Sequence, residues 1–130
     1  MIRFVPQSVV LAIHDDQITE FGGLPGIRDT NLLSSALFQP QARFGGEYLH
    51  KSIYEMAAAY GFHLCKNHPF LDGNKRTACM VMITFLQLHD LAFSFTHREL
   101  YHCIMAVAEG RTGKQDLAIW LEKRTFVPPQ

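Results

Sequence analysis

Nine consecutive positions, His68-Pro69-Phe70-Leu71-Asp72-Gly73-Asn74-Lys75-Arg76, bring an imidazole, a carboxylate, a glycine, a primary amide and two cations into one short stretch. These types suit phosphate handling. The N–H groups at a helix start and the positive end of its dipole favour an anion, and Gly73 leaves that backbone open to phosphate oxygens. Asn74 adds amide donors, Lys75 a point charge and Arg76 a planar fork. Asp72 would repel phosphate unless a Mg²⁺ ion lay between them, the arrangement this ion adopts with one or two carboxylates. His68, near neutrality at pH 7, is suited to taking a proton from an attacking hydroxyl. Residue by residue, ordinary helix capping explains the stretch as well: Asp72 or Asn74 as cap, Lys75 and Arg76 solvated, His68 bonded at a helix end. The set together favours an anion site, because a Lys-Arg pair in a first helical turn opposes the dipole unless an anion offsets it.

The elements that must hold this turn are helical. Pro6 fits the first turn of a helix with a stripe of Val9, Val10, Ile13, Gln17 and Ile18, stopped by Gly22-Gly23. Gly22 to Ile27 is a turn-rich connector. Asp29 or Thr30 can cap a short helix to about Phe38, closed by Pro40. Between Gln41 and His50 the Gly45-Gly46 pair fits a loop or a small hairpin. Ser52 caps a longer helix carrying Ile53, Met56, Ala57, Tyr60 and Leu64, with Pro69 beyond its end. Thr77 to Leu88 is apolar on nearly every side and so belongs inside the bundle. Leu91 to Phe95 fits an extended crossing, Thr96-x-x-Glu99 a capping box for a helix to near Gly110, and a last helix spans about Lys114 to Arg124. The expectation is one all-α domain over residues 1–130, of about six helices.

Composition bounds the functions available. Of 130 residues, 48% are hydrophobic and 18% charged, which suits a single domain with its own core. Twelve Lys and Arg balance twelve Asp and Glu, so no overall field draws the chain to nucleic acid or an anionic membrane. The longest stretches free of formal charge span 13 residues, Thr30 to Ala42 and Thr77 to His89, too short for a membrane helix. Phe4 to Ile13 faintly resembles a signal-peptide core, but Pro6 and Gln7 interrupt it and His14-Asp15-Asp16 replaces a cleavage site. A cytoplasmic protein is expected. Cys65, Cys79 and Cys103 read as free core thiols, and His63 and His68 lack the companions of a zinc centre. Lys66 reads as a solvated helix-end lysine.

The stretch His68–Arg76 resembles the Fic motif, H-P-F-x-[DE]-G-N-[GK]-R, and with Lys75 it is similar to the death-on-curing (Doc) toxins of toxin–antitoxin modules. Chain length, the Gly22-Gly23-Leu24-Pro25-Gly26 turn and the apolar helix behind the motif extend the likeness nearly end to end. The resemblance implies a compact helical Fic fold with ATP and Mg²⁺ on the motif loop. His68 would be the general base, Asp72 the metal ligand, and Gly73, Asn74, Lys75 and Arg76 the phosphate binders, with Phe70 anchoring the loop in the core. Adenylyl-transferring relatives carry glycine where Lys75 stands and a second arginine where Cys79 stands. Those two departures imply a reversed nucleotide and transfer of the γ-phosphoryl group to a protein hydroxyl, with elongation factor Tu as the expected target. Pro69 and Gly73 instead follow the adenylylating pattern, so an adenylyltransferase, or a binding module without chemistry, remains an alternative. The self-inhibitory pattern [ST]-x-x-x-E-[GN] is missing, because Met105 precedes Glu109-Gly110 where Ser or Thr is required. Inhibition is then expected from an antitoxin whose disordered tail folds into a groove. Phe38, Phe44, Tyr48 and Phe93 could line that groove or serve as core aromatics. Gln41–His50 could be the flap that holds a target peptide by strand pairing, or an ordinary surface loop.

Overall fold

Short-range signals divide the chain into six helices, and the computed structural model describes residues 1–130. Helix α1 covers Gln7–Phe21, α2 Thr30–Phe38, α3 Ile53–Asn67, α4 Asn74–Leu88, α5 His97–Ala108 and α6 Lys114–Lys123. Three starts are capped by the residues whose chemistry suits the position. Asp29 accepts from the Leu32 N–H, Ser52 from that of Glu55, and Thr96 and Glu99 form a reciprocal capping box.

Four two-residue strands complete the chain. Strand β1 (Arg43–Phe44) and β2 (Glu47–Tyr48) form an antiparallel hairpin, so the segment read as loop or hairpin is a hairpin. Strand β3 (Ala92–Phe93) pairs antiparallel with β4 (Thr125–Phe126), which makes the extended crossing one edge of a second small sheet. That pairing joins residues about thirty positions apart and leaves no periodic mark in so short a run. One detail differs from expectation: Pro6 is the residue before α1 rather than part of its first turn. Helix α2 ends at Phe38 as expected, and Pro40 sits buried in the 3₁₀ turn Gln39–Gln41 that follows it.

The core lies around α3 and α4, which cross closely. A Cβ built on Gly61 would run into the Met82 side chain, so glycine sets how near the two helices can come. Tyr60 and Phe85 meet with ring centroids 5.3 Å apart, and both are fully buried. The Val5 N–H donates to the Tyr60 hydroxyl at 2.9 Å, tying the N-terminal segment to this centre. Burial pushes the Tyr60 phenol up to about 12, so it stays a neutral hydrogen-bonding group. With α3 ending at Asn67 and α4 starting at Asn74, the intervening turn is anchored by the two best-buried helices. No helix is long and apolar enough to cross a membrane.

Candidate functional site

The turn between α3 and α4 is held from inside by its own side chains. Phe70 is 1% exposed, and its ring stacks on that of His14 with centroids 3.8 Å apart and 9° between planes. Burying such a ring is worth about 1.5–3 kcal/mol, enough to pin a loop of this length. Asn74 clasps the same residue twice: its Oδ1 accepts from the Phe70 N–H at 2.9 Å and its Nδ2 donates to the Phe70 carbonyl at 3.0 Å. The amide expected to offer donors to phosphate is therefore buried and turned to the backbone of the loop. The reason is local, since Phe70 carries its backbone polar groups into the core and they need partners there.

Residues 23–32 lace the turn from outside. Leu24 N–H donates to Asp72 Oδ2 at 2.7 Å, and Leu71 N–H donates to the Gly26 carbonyl at 3.1 Å. Arg28 N–H and Asp29 N–H both donate to the Pro69 carbonyl, at 2.7 and 3.1 Å. The Arg28 side chain reaches the carbonyls of His68 and Asn67 at 2.7 and 3.0 Å, and Asn67 Nδ2 donates to the Leu32 carbonyl at 3.0 Å. From α1, His14 Nε2 lies 2.8 Å from the Asp72 carbonyl, so that nitrogen carries the proton it donates. His14 is 2% exposed and takes a core position on α1 with Val10, while Val9, read as part of the apolar stripe, is 38% exposed.

The motif residues fall into two groups around this frame. Asp72, Gly73, Asn74, Lys75 and Arg76 line a cavity of about 340 Å³, faced by Gln17, Phe21, Gly22, Gly23 and Tyr101. Gly73 has φ +78°, a left-handed conformation that favours glycine, and a Cβ there would lie 3.1 Å from Ile18. The first turn of α4 leaves the N–H groups of Asn74, Lys75 and Arg76 without protein acceptors, beside two cations that make no ion pair. The Arg76 guanidinium is held between the rings of Phe21 and Tyr101, 3.8 and 4.6 Å from their centroids, which leaves its in-plane N–H groups for a planar acceptor. His68 stands apart. It ends α3 with an exposed imidazole that makes no hydrogen bond, and it is not among the residues lining the cavity.

A second, less polar cavity of about 190 Å³ adjoins the first, sharing Gln17, Phe21, Arg76 and Tyr101. Cys79 lines it, and burial pushes that thiol far up, so the position is neutral. Lys66, read as solvated, donates to the Val107 carbonyl at 3.4 Å near the end of α5. Phe38, at the end of α2, and Phe44, on the two-residue strand β1, are 60% and 84% exposed, which excludes a core role for both. Tyr48 and Phe93 are half-buried against the core. Sequence reasoning missed His14, Arg28, Phe21 and Tyr101. Only His14 left a trace, four positions after Val10 on one helical face.

The helical bundle presents a glycine-led helix start, a carboxylate and two cations without ion pairs to one cavity, a donor set that suits an anionic ligand. Residues 4–86 match the Fic/DOC family, and the chain belongs to that family. It is 29% identical over 122 residues to "Protein kinase doc" of Escherichia phage P1, covering 94% of this chain and 95% of that one. It is 41% identical over 71 residues to "Toxin Doc" of Mycolicibacterium smegmatis (strain ATCC 700084 / mc(2)155), 55% of each chain.

Proposed function

We propose that this chain is a Doc-type toxin that transfers the γ-phosphoryl group of Mg-ATP to a Ser or Thr hydroxyl of a translation factor, elongation factor Tu being the expected target. The observation that carries the reading is the cavity in which Lys75, Arg76 and the free N–H groups of α4 converge beside Asp72. The end-to-end similarity to a protein named a kinase supports it. A triphosphate fits the donor set, with three free N–H groups, one ammonium and one clamped guanidinium. A metal fits only as part of a mixed shell, since no three His, Cys, Asp or Glu side chains cluster to hold one unaided. Asp72 fits that shell, with Oδ2 fixed by Leu24 and Oδ1 free of protein partners. Bound Mg-ATP supplies the phosphoryl group and a charge that draws electron density from it.

The residues of the chain do the rest. His68 takes the proton of the attacking hydroxyl as the new O–P bond forms and the bond to the departing ADP breaks. Arg76 offers its fork to the charge spread over the phosphate oxygens, and Lys75 neutralises the neighbouring ones. Lys75 also fills space beside Gly73, which favours phosphoryl over adenylyl transfer. Gly73 and Asn74 contribute main-chain N–H groups, the Asn74 side chain serving the loop instead. The regulator is a separate antitoxin chain with a tail that folds on binding.

Incubation with ATP, Mg²⁺ and elongation factor Tu, followed by mass spectrometry of the target, tests the reading. A phosphoryl-sized increment supports it, an adenylyl-sized one assigns the chain to the adenylyltransferases, and none indicates a binding module. His68→Ala is expected to lower the rate about 10²–10⁴-fold with the fold intact, because its imidazole is exposed and unbonded. Full activity in folded His68→Ala would remove His68 from the mechanism.

A further inference from the structure

We propose that Arg28 is a positioning residue for His68, holding the end of α3 in the left-handed conformation that aims the imidazole; this rests on His68 being the base. His68 has φ +52° and ψ +54°, and Asp90 is the only other non-glycine residue with positive φ. The two helix ends are closed in different ways. Beyond α4, the N–H groups of Asp90 and Leu91 return to the carbonyls of Gln87 and Leu86, so the chain satisfies its own last turn. Beyond α3 that route is blocked. Pro69 has no N–H, and the Phe70 N–H is taken by Asn74.

Donors must therefore come from elsewhere, and Arg28 supplies them. Its Nε and Nη2 donate to His68 and Asn67, while its own N–H donates to Pro69, so one residue meets three successive carbonyls. No carboxylate lies within ion-pair distance of this guanidinium, which leaves its charge to the negative end of the α3 dipole. The direction of the Cα–Cβ bond of His68 follows from φ and ψ, so releasing the two side-chain bonds lets the imidazole swing away from its working direction. Arg28 lies outside the lining of the phosphate cavity, so nucleotide binding is separable from this effect.

The test uses the full chain and phosphoryl transfer from labelled ATP, with Arg28→Met, Arg28→Lys and Arg28→Ala beside the unaltered protein. A misplaced base costs up to about a hundredfold in rate. In Arg28→Met, kcat is expected to fall tenfold or more, with the KM for ATP within twofold. Arg28→Lys retains an intermediate rate, having one point donor for two carbonyls. Millimolar methylguanidinium restores Arg28→Ala. Unchanged kcat in Arg28→Met, or a loss residing wholly in KM, overturns the proposal. A separate measurement, the backbone chemical shifts of His68 by NMR, is expected to move from left-handed toward right-handed values in Arg28→Met; unmoved shifts overturn it too. If the unaltered chain transfers no phosphoryl group, the kinase reading fails while the NMR comparison still decides whether Arg28 holds His68.

Discussion

The turn at residues 67–76 and the hairpin at 42–50 are both short connections next to α3, yet they are built to opposite specifications. The turn is bonded on every side: to Arg28 and Gly26 from the preceding connector, to His14 and Leu24 at Asp72, and to itself through Asn74. The hairpin has two residues per strand, a Gly45-Gly46 tip, and an exposed ion pair of 3.2 Å between Lys51 and Glu47 at its base. Such a pair contributes little. Firm attachment comes only from Tyr48, edge-on to Phe4 at 5.8 Å, and from His50, which is 6% exposed. In the proposed mechanism the turn meets developing charge, and there a frame that cannot relax is an advantage, because preorganised donors act without further rearrangement. A two-stranded ribbon, by contrast, leaves unpaired strand edges and backbone that opens at small cost.

The largest expected effect that breaks this contrast is Asn74→Ala. It strips partners from the N–H and carbonyl of a residue 1% exposed, at about 1–3 kcal/mol for each orphaned group. A fall in unfolding free energy of about 2–4 kcal/mol by urea titration is expected, together with loss of transfer activity. A change below about 0.5 kcal/mol would mean that the turn is held by its outer lacing alone.

Acid sharpens the contrast more gently, because it acts at the hairpin's foot. His63 is lowered to about 4 by burial, Lys114 and His50, and its Nε2 lies 3.1 Å from Lys114 Nζ. His50 is lowered in the same direction, first by burial and then by Lys114, against smaller opposing effects of Glu55 and the Gln39 backbone. Both rings stay neutral in the folded chain at pH values where the unfolded chain binds protons. The stability they contribute is therefore full above about pH 6.5 and declines as the pH falls toward 4. Hydrogen exchange at pH 5 against pH 7 should show faster opening of residues 42–50 with 67–76 still protected. His63→Gln should flatten the dependence of Tm on pH, and an unchanged slope would assign the effect to other groups.

Much of the motif turn was legible because its signals are local. Asp29, Ser52 and the Thr96–Glu99 pair announce helix starts within four residues, and the ordered His68–Arg76 stretch marks its own importance. The residues that position it were not legible, since each acts across the fold: Arg28 on α3's end, His14 on Asp72, Phe21 and Tyr101 on Arg76. Asn74 shows the subtler failure. Its type says only that it can donate and accept, and which way it turns depends on Phe70 burying a backbone that needs both. The β3–β4 pair escaped because two-residue strands carry no alternation to read.

The smallest expected effect on the fold is also the most direct test of what the hairpin is for. Phe44 stands 84% exposed at the end of β1, one residue before the glycine tip, where it buries almost nothing. Phe44→Ser should therefore leave unfolding free energy within about 0.5 kcal/mol. If the hairpin's edges receive a segment of the target, the same change removes the largest apolar surface available to it, and the KM for the protein substrate should rise several-fold while that for ATP stays put. An unchanged KM for the protein substrate in Phe44→Ser would make the hairpin a bystander. In that case its loose construction would reflect only the lack of any demand on it.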